Sequence, residues 1–261
     1  MYELSALGLW SIGLGLIAGS FLNALSFRFN TGKSIAHGRS SCMRCGHVLR
    51  ALDLIPLLSY FFLGGKCRYC GTRISMQYPL VELAAAMLSF GVFSTVQTPL
   101  MYAFWFFVWM VILFIVIYDI RHTVIPWSCS LLLIGLSLVS LFLSGMPSFA
   151  ALLSGPLLAL PLLALSFFSR GRWMGWGDGV FQLSLGWFLG LVPALSALAL
   201  SVWTGAFVGV GLVLVAQLPW KYRSRGFTIQ SELPFAPFLA LGALLVYFFH
   251  VDLFSTYFLL W

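Results

Sequence analysis

Residues 99–118 read PLMYAFWFFVWMVILFIVIY and are followed at once by Asp119-Ile120-Arg121. The run contains no charged side chain. A helix of about 20 residues, rising about 1.5 Å per residue, matches the roughly 30 Å hydrocarbon core of a bilayer. Only a helix satisfies such a segment's own N–H and C=O groups in lipid. The apolar run stops at an acid and an arginine, which marks the membrane edge.

Composition outside this stretch points the same way. The chain has 261 residues, 61% hydrophobic and 8% charged, with a mean hydropathy of +1.00. Soluble domains carry about a quarter of their residues as Asp, Glu, Lys or Arg. Here 14 basic and 7 acidic residues are too few to cover a water-facing surface. The 25 Phe and 10 Trp exclude a solvated disordered coil. The net charge of +7 belongs to a chain that water cannot dissolve, so no nucleic-acid partner is expected. The class is all-α, a polytopic membrane protein with lipid as its solvent.

Working outward, further spans are expected at Leu4–Phe27, Pro79–Val96, Ile125–Leu143, Phe149–Ser169, Val180–Pro193, Ser196–Gln217 and Phe235–Trp261. With 99–118 these make about eight transmembrane helices, the short sixth forming a tight hairpin with the seventh. Charge tests the count. Eight basic residues (Arg28, Lys33, Arg39, Arg44, Arg50, Lys66, Arg68 and Arg73) lie between the first two spans. Arg121, Arg170, Arg172, Lys221, Arg223 and Arg225 fall on the same face if there are eight crossings, and the opposite loops carry no basic residue. By the positive-inside rule that face is cytoplasmic and both termini are periplasmic. No Lys or Arg precedes the first span, so it reads as a retained helix and not a cleaved leader. The expected division is a first helix (1–27), a cytoplasmic cysteine-rich loop (28–78) and a helical membrane domain (79–261).

The loop contains Cys42-Met-Arg-Cys45-Gly46 and Cys67-Arg-Tyr-Cys70-Gly71. Two such knuckles offer four soft sulfur ligands, the usual closed set of structural zinc. A reducing cytoplasm disfavours disulfides. The doubled spacing favours zinc over unmetallated or redox-active pairs. A closed four-Cys site has no open position for catalysis. His47 adjoins the first knuckle and is a candidate outer partner. Leu52–Leu63, between the knuckles, is apolar enough to lie on the membrane or against the helices. Cys129 stands alone and reads as a small packing residue.

Acids in or beside spans are costly and point to function. Glu82, Asp119, Asp178 and Glu232 qualify. Asp119 ends its span, with His122 close behind and Pro126 opening the next helix. Asp178 lies in Gly175-Trp-Gly177-Asp-Gly179, where glycine permits close approach of another segment. Two aspartates brought together at a membrane edge share a proton, leaving one acid and one base around a water. The alternative is that each caps a helix or pairs with Arg121 or Arg172. Position alone does not separate these readings. No GxSxG, HExxH or P-loop is present.

Taken together, the motifs resemble the prepilin leader peptidases, membrane aspartic proteases that process type IV prepilins and type II secretion pseudopilins. The matching pieces are Gly19-Ser-Phe-Leu-Asn23 with Arg28, both CxxC pairs, Ile55-Pro-Leu-Leu-Ser59, Gly65-Lys-Cys67 and Tyr78-Pro-Leu-Val-Glu82. Asp119 with Pro126, Gly175–Asp178 and Pro234-Phe-Ala-Pro-Phe238 complete the set. The resemblance implies a bacterial inner-membrane enzyme with Asp119 and Asp178 as its catalytic pair, supported by Gly175 and Gly177. It implies zinc on Cys42, Cys45, Cys67 and Cys70. The implied reaction is removal of a short basic leader after a glycine at the cytoplasmic face. In many members N-methylation of the new terminus by S-adenosyl-L-methionine follows. Glu82 and Glu232 are candidates to receive the basic leader. The chain departs from the family where Lys is frequent (Val180), where Asp follows the proline (Trp127) and where Asn precedes Ile-Pro (Leu54). The competing function is a non-catalytic membrane assembly factor or inactive homologue. An ion-coupled transporter is disfavoured because the acids gather at one edge.

Overall fold

The computed structural model describes residues 6–31, 39–143, 145–216 and 233–254. Among them are nine α-helices, one short 3-10 turn (Ala51–Leu54), and no strand beyond two isolated bridges in the cysteine loop. The helices are α1 (Ala6–Arg28), α2 (Leu58–Phe62), α3 (Gln77–Thr95), α4 (Pro99–His122), α5 (Trp127–Leu143), α6 (Phe149–Ser169), α7 (Trp176–Leu189), α8 (Leu191–Ala216) and α9 (Ala236–Phe249). Apart from α2, each matches one expected span in the expected order. Five of them, α1, α3, α4, α6 and α8, are long and apolar enough to cross a membrane. α5 and α9 are shorter apolar helices. α7 has 14 residues.

The hairpin differs in register from the expectation. Pro193 does not end the sixth span; it sits in the first turn of α8, where a missing N–H is harmless because those groups have no acceptor in the helix. The break falls one turn earlier, at Gly190 with φ +82°. α7 also starts earlier, at Trp176, which brings Asp178 into its first turn. α9 ends at His250, which takes a left-handed conformation. Residues 255–261 of the expected last span lie outside the described residues, as do Lys221, Arg223 and Arg225.

The chain forms two compact units, Met1–Ile117 and Tyr118–Trp261, with the division inside α4. In the first, α1 packs on α3. Lipid is as apolar as a leucine side chain, so helices in a membrane gain by close packing and interhelical hydrogen bonds, not by hiding from water. The buried stripe of α1 accordingly includes Ser11, Gly15 and Gly19. A Cβ on Gly19 would stand 2.7 Å from the Cα of Glu82, and one on Gly15 would stand 2.6 Å from the Ala85 oxygen. Ser89 donates from Oγ to the Ser11 oxygen, and Asn23 donates from Nδ2 to the Tyr78 oxygen at 3.1 Å.

The second unit repeats the device. Gly155 of α6 meets Gly186 of α7 closely enough that a Cβ on Gly186 would stand 2.7 Å from the Gly155 Cα. Ser154 donates across the same contact to the Gly186 oxygen at 2.9 Å. At the far end of α9, Asp252 accepts a hydrogen bond from Ser196 of α8 at 2.7 Å.

The α1–α3 contact yields a paired prediction. Gly19→Ala is expected to destabilise the protein by about 1–3 kcal/mol through overpacking against backbone that cannot yield. Gly13→Ala, where an added Cβ meets nothing within 4 Å, is expected to be neutral or slightly stabilising. Thermal unfolding of both variants in the same detergent measures the contrast; equal midpoints would remove the packing argument.

Candidate active site and metal centre

Asp119 occupies the last turn of α4 and is 4% exposed. Thr123, in a left-handed conformation, donates its N–H to the backbone carbonyl of Asp119 at 2.7 Å and turns the chain out of the helix. Residues 124–126 then connect to α5 without regular structure, with Pro126 accepting the first N–H bonds of that helix from Cys129 and Ser130. Gly177 lies against this connection. A Cβ there would stand 2.9 Å from the Ile125 Cβ, so glycine is what admits the first turn of α7 beside the turn after α4.

The consequence is a cleft of about 310 Å³ lined by both Asp119 and Asp178, together with Ser130, Gly175 and Gly177. Asp178 is 8% exposed, and the charge of Asp119 is within electrostatic reach of it. Trp127 and Val180, two of the three departures from the family pattern, also line this cleft. Each aspartate is held by one backbone donor. Gly175 N–H donates to Asp178 Oδ2 at 3.2 Å, and Ala236 N–H, at the start of α9, donates to Asp119 Oδ2 at 3.2 Å. Neither pairs with a cation among the described residues, so Arg121 and Arg172 do not neutralise them. Both expected geometries are therefore present at once: the acids face one cleft, and each caps a helix N-terminus. His122 stacks on Tyr118, with ring centroids 4.4 Å apart.

Glu82 is buried in the first unit, where its Oε2 accepts the Leu57 N–H at 2.8 Å. Glu232 lies outside the described residues.

The four cysteines of the loop converge, their sulfurs all within 4.8 Å of one another. Cys42 and Cys70 stand 3.8 Å apart. A tetrahedral ion with metal–sulfur bonds of about 2.3 Å separates its sulfurs by about 3.8 Å, so the donor set and its size fit a metal. The knuckles build this locally. Gly46 and Gly71 both have positive φ and donate their N–H groups to the Cys42 and Cys67 oxygens at 2.9 Å. The Thr72 side chain and amide draw the Cys70 thiol down to about 6. Against the pull of the His47 amide, desolvation and the neighbouring Cys42 and Cys70 sulfurs push Cys45 up to about 11. A metal takes its cysteine ligands as thiolates, so binding at this centre would release protons.

Two partners of this centre join its halves. His47 stacks on Tyr69 at 3.6 Å between ring centroids, linking one knuckle to the other. Asp53, which the motif reading passed over, accepts from Arg68 at 2.8 Å, from the Tyr69 hydroxyl at 3.2 Å and from the Arg50 amide at 3.1 Å. Desolvation works against its charge, but the Arg50 amide and Arg68 hold the carboxyl below its ordinary range. The signal was present: Asp53 is the one acid among eight basic residues of the 28–77 loop.

Comparison with known proteins places the chain in a family. The Bacterial Peptidase A24 N-terminal domain matches residues 14–96. The prepilin leader peptidase/N-methyltransferase of Bacillus subtilis (strain 168) is 31% identical over 245 residues, covering 93% of this chain and 94% of that protein. The protein of the same name from Burkholderia pseudomallei (strain 1026b) is 32% identical over 92% of this chain and 84% of its own length. That from Dichelobacter nodosus is 29% identical over 93% of this chain and 92% of its own. No solved structure matches the chain. A four-cysteine loop after the first helix, two acids facing one cleft and relatives alike over nearly their whole length lead to one conclusion: the chain belongs to the prepilin leader peptidase/N-methyltransferase family.

Proposed function

We propose that this chain is a membrane aspartic endopeptidase in which Asp119 and Asp178 are the catalytic pair. Its substrates are type IV prepilins or type II secretion pseudopilins, cut after a glycine at the cytoplasmic face of the bacterial inner membrane. The observation that carries the reading is the shared cleft: two buried carboxylates line it, and each commits only Oδ2 to a backbone donor. On this reading one carboxylate takes a proton from water as it attacks the scissile carbonyl. The other, protonated, hydrogen-bonds the carbonyl oxygen and then delivers its proton to the leaving nitrogen. The substrate's apolar helix stays in lipid while its head reaches the membrane edge where Asp119 ends α4. Gly175 and Gly177 support the pair by letting the α7 turn approach the turn after α4.

The division 1–27, 28–78 and 79–261 then separates a first helix, a metal-bearing loop and a catalytic helical domain. Zinc on Cys42, Cys45, Cys67 and Cys70 is a closed structural site that holds the loop in shape and takes no part in hydrolysis. Of the acidic candidates for the basic leader, Glu232 and Glu82, the latter already holds the Leu57 N–H, and a leader reaching it has to replace that donor. Methylation of the new N-terminus from S-adenosyl-L-methionine is proposed from the activity in the relatives' name. The described residues hold no glycine-rich nucleotide loop of recognised type, and no residue is given a role in that step.

The capping bonds favour a second reading, in which the aspartates only fasten helix ends and the protein is a non-catalytic assembly factor. Asparagine separates the two, because it keeps an acceptor oxygen for the backbone N–H but cannot act as acid or base. Asp119→Asn and Asp178→Asn are each expected to lower cleavage of a basic-leader prepilin at least about 10²-fold at unchanged membrane abundance. The double variant should be no worse than either single one. Product mass reports leader loss, and an added methyl reports the transferase. Full cleavage by both asparagine variants would leave only the capping role.

Zinc is tested separately. Elemental analysis of the purified protein is expected to give one zinc per chain, lost in Cys45→Ser together with a lowered unfolding temperature. Metal content near zero in the wild type, at full activity, would overturn the structural-zinc role.

A further inference from the structure

A second cleft, of about 330 Å³, lies in the first unit, and neither aspartate is among its lining residues. Its floor is one face of α1: Ile17, Phe21, Ala24, Leu25 and Arg28, with Ser20 beside them. Its far wall is the cysteine loop, through Ser40, Leu54 and Pro56. Residues 17, 21, 24 and 28 follow helical spacing, so they form a lane running down the helix. We propose that this lane binds an anionic glycerophospholipid, with its phosphate at Arg28 and one acyl chain along Ile17 and Phe21.

Three observations select that occupant. The one cationic side chain sits at one end, and exposed apolar side chains lie farther along the helix. Arg28 is in the last turn of α1, and Ile17 and Phe21 are 65% and 54% exposed farther down the helix. The length also fits: Ile17 to Arg28 spans about 16 Å at about 1.5 Å per residue, and one leaflet of a bilayer core is about 15 Å deep. A free phosphate would use only the top of such a lane. Finally, the charge is complementary. Arg28 pairs with no carboxylate among the described residues. Asp53, the one acid in the 28–77 loop, is already taken by Arg68. The surroundings thus favour a headgroup with net negative charge over a zwitterion.

The loop wall is tied to α3 by the bond between Glu82 and the Leu57 N–H, next to Pro56. A lipid in this lane therefore touches both the first helix and the metal-bearing loop, and its binding stabilises their contact.

Native mass spectrometry and thermal unfolding of the whole detergent-purified protein test the site. Phosphatidylglycerol is titrated against phosphatidylcholine of the same chains, and inorganic phosphate serves as the headgroup-only probe. The expected result is a phosphatidylglycerol adduct and a raised unfolding temperature, with no effect of inorganic phosphate at equal concentration. Arg28→Gln should weaken the adduct about fivefold, whereas Arg73→Gln, a loop arginine that does not line the lane, should leave it intact. Ala24→Phe, which fills the lane and removes no charge, should weaken it as well, and decides the matter alone if Arg28→Gln does not accumulate. Equal adducts in wild type and Ala24→Phe, equal response to phosphatidylcholine, or equal protection by inorganic phosphate would each overturn the proposal.

Discussion

A carboxylate in or beside a slab of hydrocarbon must receive its hydrogen-bond donors from the protein, because water is not there to supply them. Of seven acids in the chain, the five among the described residues are all met in this way. Glu82 receives the Leu57 amide, Asp119 the Ala236 amide, Asp178 the Gly175 amide, Asp252 the Ser196 hydroxyl, and Asp53 the Arg68 side chain. Three of these bonds join residues far apart in sequence, by 117, 56 and 25 positions. Contacts between apolar helices in lipid carry little directional information. The few buried acids therefore fix which connection meets which helix end, and the glycine and serine stripes let the helices come close enough for that to happen.

Leu57 illustrates how such a bond is used. It has φ 59° and ψ −52°, and the Leu58 N–H donates to the Pro56 oxygen at 2.6 Å, closing a three-residue turn that a leucine adopts only under strain. A strained residue of this kind costs about 1–3 kcal/mol, and a hydrogen bond to a charged group contributes about 1.5–3 kcal/mol. The two magnitudes are comparable, so the buried carboxylate of Glu82 is sufficient to hold the turn. The segment that leads from one cysteine knuckle to the other is thereby fastened to α3 at a single point.

How much of this was legible in the sequence depends on how local each cause is. Spans follow from runs of apolar residues, and all eight expected ones have a helix in the right order. The four-cysteine centre follows from spacing, and its sulfurs do converge. The α7–α8 boundary is harder to read, because Pro193 looks like a stop but stands in a first turn, and the break is the glycine three residues earlier. Asp119 and Asp178 stood out as acids at span ends, but their meeting in one cleft depends on Gly177 passing Ile125, a contact between segments some 50 residues apart. The Ala236 amide and the Leu57–Glu82 bond were invisible for the same reason. Charge placement marked Glu82 as an available acid, and burial with a backbone donor is the part that no one-dimensional pattern carries.

On the proposed mechanism, capping and catalysis do not compete at the aspartates. A helix N-terminus stabilises an adjacent anion, and a side chain locked by a fixed donor keeps its remaining oxygen in one position without reorganising during reaction. With Oδ2 of Asp119 held by the first N–H of α9 and Oδ2 of Asp178 held by the N-cap amide of its own helix, both Oδ1 atoms are left without a donor among the described residues. On the proposed mechanism those are the atoms that handle the water and the scissile carbonyl. The segment Pro234-Phe-Ala-Pro-Phe238 then has a physical reason to accompany the two aspartates: it opens α9 with an unsatisfied N–H at Ala236, while Pro237 offers none to compete for the same oxygen. On that mechanism a residue that never touches substrate decides where the reacting oxygen stands.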